Sequence, residues 1–133
     1  MAIAKTFGIE TEYGIVHRGT DDPNPITASS LLINAFLASE GYKPDARSDV
    51  IAWDFIDETP GADARGFSPL GALPPEVETH LVNAVLRNGA RYYVDHAHPE
   101  MSTPEVADPR SAVLYDRAGE FIIQRSMAAA AEL

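Results

Sequence analysis

Residues Asn88-Gly89-Ala90-Arg91-Tyr92-Tyr93-Val94-Asp95-His96-Ala97-His98-Pro99-Glu100-Met101-Ser102-Thr103-Pro104-Glu105 form the stretch around which the chain is organised. Asn88-Gly89 is the strongest short-range signal for a tight hairpin turn. A strand is expected to leave that turn through Tyr92, Tyr93 and Val94, paired with the second half of Glu76–Leu86. It delivers Asp95, His96, His98 and Glu100 into one short segment interrupted by Pro99. So many ionisable groups make a poor core and a reasonable site.

Upstream, Lys5 to Arg18 alternates as a strand does. Phe7, Ile9, Thr11, Tyr13 and Ile15 take one face, and Gly8, Glu10, Glu12, Gly14 and Val16 the other. Glu10 and Glu12 thus share a face, either as solvated carboxylates or as a pair offered to a metal. Gly19 to Pro25 reads as a loop. A helix is expected from a cap at Thr27 or Ser29 to about Glu40, with Leu31, Leu32, Ala35 and Phe36 as its apolar stripe and Gly41 as its stop.

Residues 42–75 carry five prolines and three glycines, and only Val50–Ile56 has the makings of a strand. A long irregular insertion in a compact domain is typically a lid or a linker, and Trp53 with Phe55 would anchor such a lid. Further on, Asp108-Pro109 is a helix start, with Asp as cap and Pro in the first turn. The pattern Ala112, Val113, Tyr115, Ala118, Phe121, Ile122, Arg125, Met127, Ala129 continues that helix to Leu133 with no closing signal. The expectation is a piece of a larger protein, or a helix that a partner covers.

The 133 residues suffice for one domain, and 45% hydrophobic content suits a globular core. A net charge of -10 argues against nucleic acid and leaves carboxylates for divalent cations or a basic partner. There is no cysteine, which excludes disulfides, thiolate nucleophiles and Cys-type zinc sites. No signal peptide and no apolar run of membrane-spanning length is evident, so a soluble cytoplasmic chain is expected.

Three chemistries fit the acidic segment. One is a zinc site from His96, His98 and Glu100, although Pro99 disturbs the alternation it needs. The second is a hard-metal site in which Glu10, with Glu12 beside it, and Glu100 hold Mg²⁺ and nucleotide phosphates, with Asp95 nearby as base or nucleophile. The third is a polar hairpin with no chemistry at all. Spacing leaves the second and third open.

Gly8-Ile-Glu-Thr-Glu-Tyr-Gly-Ile15 and the stretch from Asn88 to Glu105 closely resemble the family of the deamidase/depupylase of the prokaryotic ubiquitin-like protein Pup and its paralogue, the Pup ligase. The resemblance covers the whole chain but only the first quarter or so of a family member. Two features favour the deamidase branch. The ligase has one more residue between its catalytic Asp and His-Pro-Glu, whereas this chain reads Asp95-His-Ala-His-Pro-Glu100. The ligase also lacks a long insertion after the first helix, and Trp53 to Phe67 here resembles the segment known as the Dop loop.

The resemblance implies an α+β fold like that of glutamine synthetase and other carboxylate–amine ligases. Residues 1–133 would be the N-terminal portion of its antiparallel sheet cradle with packing helices, 42–75 the loop insertion and 109–133 a helix running to the chain end. It also implies roles. Glu10, Tyr93 and Glu100 would hold Mg²⁺, Arg91 and Thr103 would contact ATP, and Asp95 would be the catalytic carboxylate. The implied reaction is amide hydrolysis, with ATP as cofactor more than fuel. It converts the C-terminal glutamine of Pup to glutamate and cleaves the isopeptide bond to lysine in pupylated proteins. The implied partners are Pup, its conjugates and the remainder of the same enzyme, present as a second chain if separate; nucleic acid and membrane are not among them. Without that remainder the chain is expected to be inactive and poorly stable. His96 and His98 would either position Asp95 or stabilise the developing oxyanion, or, as is expected first, be ordinary hydrogen-bonded loop histidines, and Glu12 has no assigned role.

Overall fold

The computed structural model describes residues 4–19, 24–42 and 82–133. In chain order they form strand β1 (Glu10–Glu12), helix α1 (Pro25–Ser39), strands β2 (Asn83–Val85), β3 (Arg91–Asp95) and β4 (His98–Ser102), and helix α2 (Pro109–Ala130). The strands make one antiparallel sheet in the order β1-β4-β3-β2. This is an α+β arrangement, as expected. Among the described residues no helix is long and apolar enough to cross a membrane.

The β2–β3 hairpin forms where Asn88-Gly89 places it, but through a longer loop than a two-residue turn. Gly89 N–H donates to the Leu86 carbonyl (2.8 Å) and Leu86 N–H to the Ala90 carbonyl (2.7 Å). Gly89 takes φ +84, and Asn88 is not among the residues of positive φ. This is the three-residue hairpin loop, a turn closed by a glycine bulge. Asn88 contributes its side chain instead, accepting from the Ala90 N–H at 3.0 Å.

A second hairpin, with no glycine to announce it, joins β3 to β4. Asp95 pairs with His98, leaving a two-residue loop of His96 (φ +44) and Ala97 (φ +67). Two successive positive φ values mark the turn that matches strand twist. For residues with a Cβ this conformation costs about 1–2 kcal/mol each, which is why the sequence alone does not signal it.

β1 is much shorter than the strand expected over Lys5–Arg18. Its alternation holds: Ile9, Thr11, Tyr13 and Ile15 are partly buried, while Glu10, Glu12, Gly14 and Val16 are exposed. Phe7, grouped with that first face by the alternation, is 41% exposed and pairs with Val106 through a single backbone bridge. Pro99 explains the other end of β1. Tyr13 N–H donates to the Pro99 carbonyl (3.0 Å), but proline has no N–H to return and the ladder stops there.

α1 begins earlier than expected, capped by Asn24 rather than Thr27 or Ser29. The Asn24 side chain accepts from Ile26 and Thr27 N–H, with Pro25 in the first turn. Pro25, assigned to the preceding loop, therefore starts the helix. Gly41 stops it, at φ +73. Its buried face includes Leu32, Ala35 and Phe36 as expected and adds Ile33, whereas Leu31 points outward at 41% exposure. Asn24→Ala is expected to cost about 1 kcal/mol, read as a lower denaturant midpoint.

α2 starts at the Asp108 cap, whose side chain accepts from Ser111 N–H at 2.9 Å and is thereby held below the usual carboxyl range. Its packing face differs from the expected one. Ala112, Gly119, Ile123 and Ser126 are buried, while Val113, Phe121 and Met127 are more than half exposed. The reason lies across the interface, where the sheet already supplies bulk through Tyr92 and Met101. Small residues seven apart let the helix approach. A Cβ on Gly119 would stand 3.1 Å from the Tyr13 hydroxyl and 3.3 Å from Met101 Cγ. Gly119→Leu is expected to destabilise by about 3 kcal/mol from overpacking, in a urea titration against wild type.

The core lies between the two helices and one sheet face. Leu32, Ile33 and Phe36 of α1 meet Tyr92, Val94 and Met101 of the sheet and Ile123 of α2. Phe36 and Tyr92 pack edge to face at 6.1 Å. The Tyr92 hydroxyl, fully buried, donates to Ser126 Oγ at 3.1 Å. Tyr42, at the edge of the insertion expected over 42–75, accepts from Arg87 N–H (2.9 Å) and ties the end of α1 to the β2–β3 loop. The rest of that insertion, including Trp53 and Phe55, lies outside the described residues.

Candidate active site

The register places the chemistry. Side chains directly opposite in an antiparallel pair share a face, and each strand alternates. Glu10↔Ser102↔Arg91 is one row, Glu12↔Glu100↔Tyr93↔Asn83 a second, and His98↔Asp95 a third, all on one face. The opposite face carries Thr11, Met101 and Tyr92, then Val94, and packs on the helices. Thus Glu10, Arg91, Tyr93, Asp95 and Glu100 share a surface that the core does not use.

A chain of oxygens links three of them. The Tyr93 hydroxyl donates to Glu100 Oε1 at 2.5 Å and lies 3.1 Å from Ser102 Oγ, and Ser102 Oγ donates to Glu10 Oε1 at 3.1 Å. Ser102 is a member that the sequence reading missed. Its signal was present, since it stands two residues beyond Glu100 on the same strand. Arg91 lies on the same face with its guanidinium 3.8 Å from the Tyr93 ring centroid and Nε donating to Asn83 Oδ1 at 2.8 Å.

Asp95 ends β3 beside the histidines. His96 Nδ1 is 3.0 Å from Asp95 Oδ2 and 3.8 Å from Glu12 Oε1. The buried His98 has Nδ1 3.4 Å from Glu12 Oε2, out of line for a hydrogen bond. Glu12 therefore sits between the two histidines. Among the described residues, the three groups within reach of one ion are Glu12, Asp95 and His96, not His96, His98 and Glu100. Thr103 stands apart, one residue past β4. Its hydroxyl accepts from Ile9 N–H at 2.9 Å and its own N–H donates to the Ile9 carbonyl, so it fastens the entry to β1.

Electrostatics single out Glu100. Burial pushes its carboxyl up to about 7; the Tyr93 hydroxyl pulls it back, and the charge of Asp95 raises it further. Burial likewise pushes the Tyr93 hydroxyl upward, helped by its bond to Glu100. Glu100 Oε2 is buried with no hydrogen-bond partner. An acid with one oxygen satisfied, one orphaned and other acids near is relieved by a cation. The set of Glu10, Glu100 and Tyr93 is all oxygen, and so fits a hard ion such as Mg²⁺.

Comparison with known proteins adds an independent line. Residues 5–133 match the family model described as Pup-ligase protein. The chain is 46% identical to the depupylase of Acidothermus cellulolyticus over 134 residues, covering 97% of this chain and 26% of that protein. It is 44% identical to the Pup deamidase/depupylase of Mycobacterium tuberculosis over 125 residues, covering 90% of this chain and 24% of the relative. Identity to the Pup–protein ligase of Bifidobacterium adolescentis is 28% over 124 residues, with 92% and 18% covered. The chain spans about a quarter of the length of the depupylases it matches. It belongs to the Pup-ligase protein family.

Proposed function

We propose that this chain forms part of the catalytic site of an amide hydrolase that deamidates the C-terminal glutamine of Pup and releases Pup from lysine side chains. The observation that carries the reading is the two-residue turn between Asp95 and His98. With no residue to spare, Asp95 is fixed directly opposite His98 and two positions from Glu100. The extra residue of the ligase pattern would lengthen that loop and change which face Asp95 meets. Over matches that cover nine-tenths or more of the chain, the higher identity to depupylases than to ligases supports the same branch.

The larger architecture is that of glutamine synthetase-like ligases, with this sheet as one wall of a cradle. Glu10, Tyr93 and Glu100 would hold Mg²⁺, and Arg91 would meet ATP phosphate. Thr103 would contribute from its place beside Ile9. When bound, Mg²⁺ would supply positive charge and the ATP phosphates would complete the site around the reacting carbonyl, rather than provide phosphoryl activation, which amide hydrolysis does not require.

Asp95 acts as the nucleophile. Its carboxylate attacks the amide carbonyl, the nitrogen leaves as ammonia or lysine amine after gaining a proton, and water opens the resulting anhydride to return both carboxylates. His96, 3.0 Å from Asp95 Oδ2, orients that carboxylate. Proximity in a fixed frame is the main resource here.

The test is full-length protein with ATP, Mg²⁺ and Pup ending in glutamine, followed by mass spectrometry. Glutamine-to-glutamate conversion is expected, and Pup should be freed from a lysine conjugate. Joining of Pup-glutamate to lysine without deamidation would establish a ligase; nucleotide binding without either reaction would establish a binding module.

A further inference from the structure

We infer that Ser29, in the interior of α1, is a positioning residue for Asp95, acting through the Ala97 carbonyl at the tip of the β3–β4 turn. The inference rests on the reading of Asp95 as the reacting carboxylate. Asp95 is the last residue of β3 and its partner His98 the first of β4, so only His96 and Ala97 determine how the carboxylate is presented. Both have left-handed φ values of +44 and +67, and neither is a glycine. Such a turn persists only where its surroundings hold it.

The hold comes from the helix. Ser29 Oγ donates to the Ala97 carbonyl at 2.8 Å, and both residues are fully buried, though 68 positions apart in sequence. A serine inside a helix ordinarily turns its hydroxyl back onto its own backbone or out to water. Here it occupies the buried stripe between Ile26 and Ile33, where an apolar side chain would pack at least as well. It gives its hydrogen to a carbonyl on another element.

The consequence reaches Asp95 through the turn. His96 and Ala97 are adjacent, and His96 Nδ1 is 3.0 Å from Asp95 Oδ2 and 3.8 Å from Glu12 Oε1. Releasing Ala97 lets the strained pair relax to ordinary φ values. That moves the His96 ring and turns the end of β3. The hydrogen bonds that join Glu10, Ser102, Tyr93 and Glu100 do not involve Ser29, so the change is expected to fall on the turn and Asp95 more than on metal and nucleotide binding.

The experiment compares full-length wild type, Ser29→Ala, Ala97→Gly and the double variant. Amide hydrogen exchange is read across residues 95–98, together with steady-state kinetics of Pup-glutamine deamidation. Ser29→Ala should speed exchange at the turn by about tenfold while the rest of the sheet is unchanged. It should lower kcat about tenfold, with KM for ATP and Pup altered by no more than about twofold. Ala97→Gly alone is the reference against which the double variant is read. In the double variant, glycine adopts φ +67 without strain, and most of the lost protection and kcat should return. Unchanged exchange in Ser29→Ala overturns the inference, and so does faster exchange with unchanged kcat. Activity that falls only with the fraction of folded protein, with no recovery from Ala97→Gly, also overturns it. If wild type does not deamidate Pup, the functional reading fails, while exchange at residues 95–98 still decides whether Ser29 holds the turn.

Discussion

Asp95→Asn in the full-length protein is expected to reduce Pup-glutamine deamidation by about 10³-fold or more, the scale lost with a nucleophile. The substitution is nearly isosteric. It keeps the pairing with His98, which uses the backbone. An amide oxygen can still meet His96 Nδ1, which stands 3.0 Å from Asp95 Oδ2. What disappears is the charge and the attacking oxygen. ATP affinity should change by no more than about threefold, because Asp95 meets the Glu10–Ser102–Tyr93–Glu100 chain only at Glu100, whose bond to Tyr93 is kept. The partial change expected there is a small gain, since Asp95 pushes the Glu100 carboxyl upward. Retention of even a tenth of wild-type turnover would remove Asp95 from the chemistry. Equal loss of turnover and nucleotide binding would make it a structural member of the nucleotide site.

Glu100→Gln is expected to weaken Mg²⁺-dependent ATP binding by about 10²-fold, the upper end of what is lost when a metal site is disturbed. Glutamine keeps an oxygen for the Tyr93 hydroxyl, which now bonds Glu100 Oε1 at 2.5 Å. It removes the negative charge that would face a cation. The two roles of Glu100 predict opposite effects on stability. Burial holds its carboxyl up near 7, so above that pH the folded state carries a buried charge that unfolding would hydrate. A neutral side chain avoids this cost, and the metal-free protein should be at least as stable as wild type at pH 8. A lowered Tm there, with ATP binding intact, would show that Glu100 serves the fold and not the metal.

The exposed apolar side of α2, with Val113, Leu114, Phe121 and Met127, shows why helix faces are harder to read than helices. The 3.6-residue period was legible, and so was the Asp108-Pro109 start. The sequence could not say that the sheet presents Tyr92 and Met101 at that level, which makes small residues the better partners and turns larger ones outward. The same holds at α1, where Asn24 and Pro25 out-compete Thr27 and Ser29 as a start and so leave Ser29 free for another contact.

Local sequence determined more of the site than of the packing. Alternation alone put Glu10 and Glu12 on one face, and Asn88-Gly89 set the first hairpin, because both depend on backbone geometry between near neighbours. Residue types and order at Gly8–Ile15 and Asn88–Glu105 carry the resemblance to the family whose model residues 5–133 match. Only the tertiary structure decided which oxygens touch. Strand order β1-β4-β3-β2 brings residues some ninety positions apart into one row, joining Glu10 to Glu100 through Ser102 and Tyr93. It alone shows that a turn without glycine stands in the left-handed region, where its carbonyl meets a buried serine 68 residues away, and such a contact has no local signature in sequence.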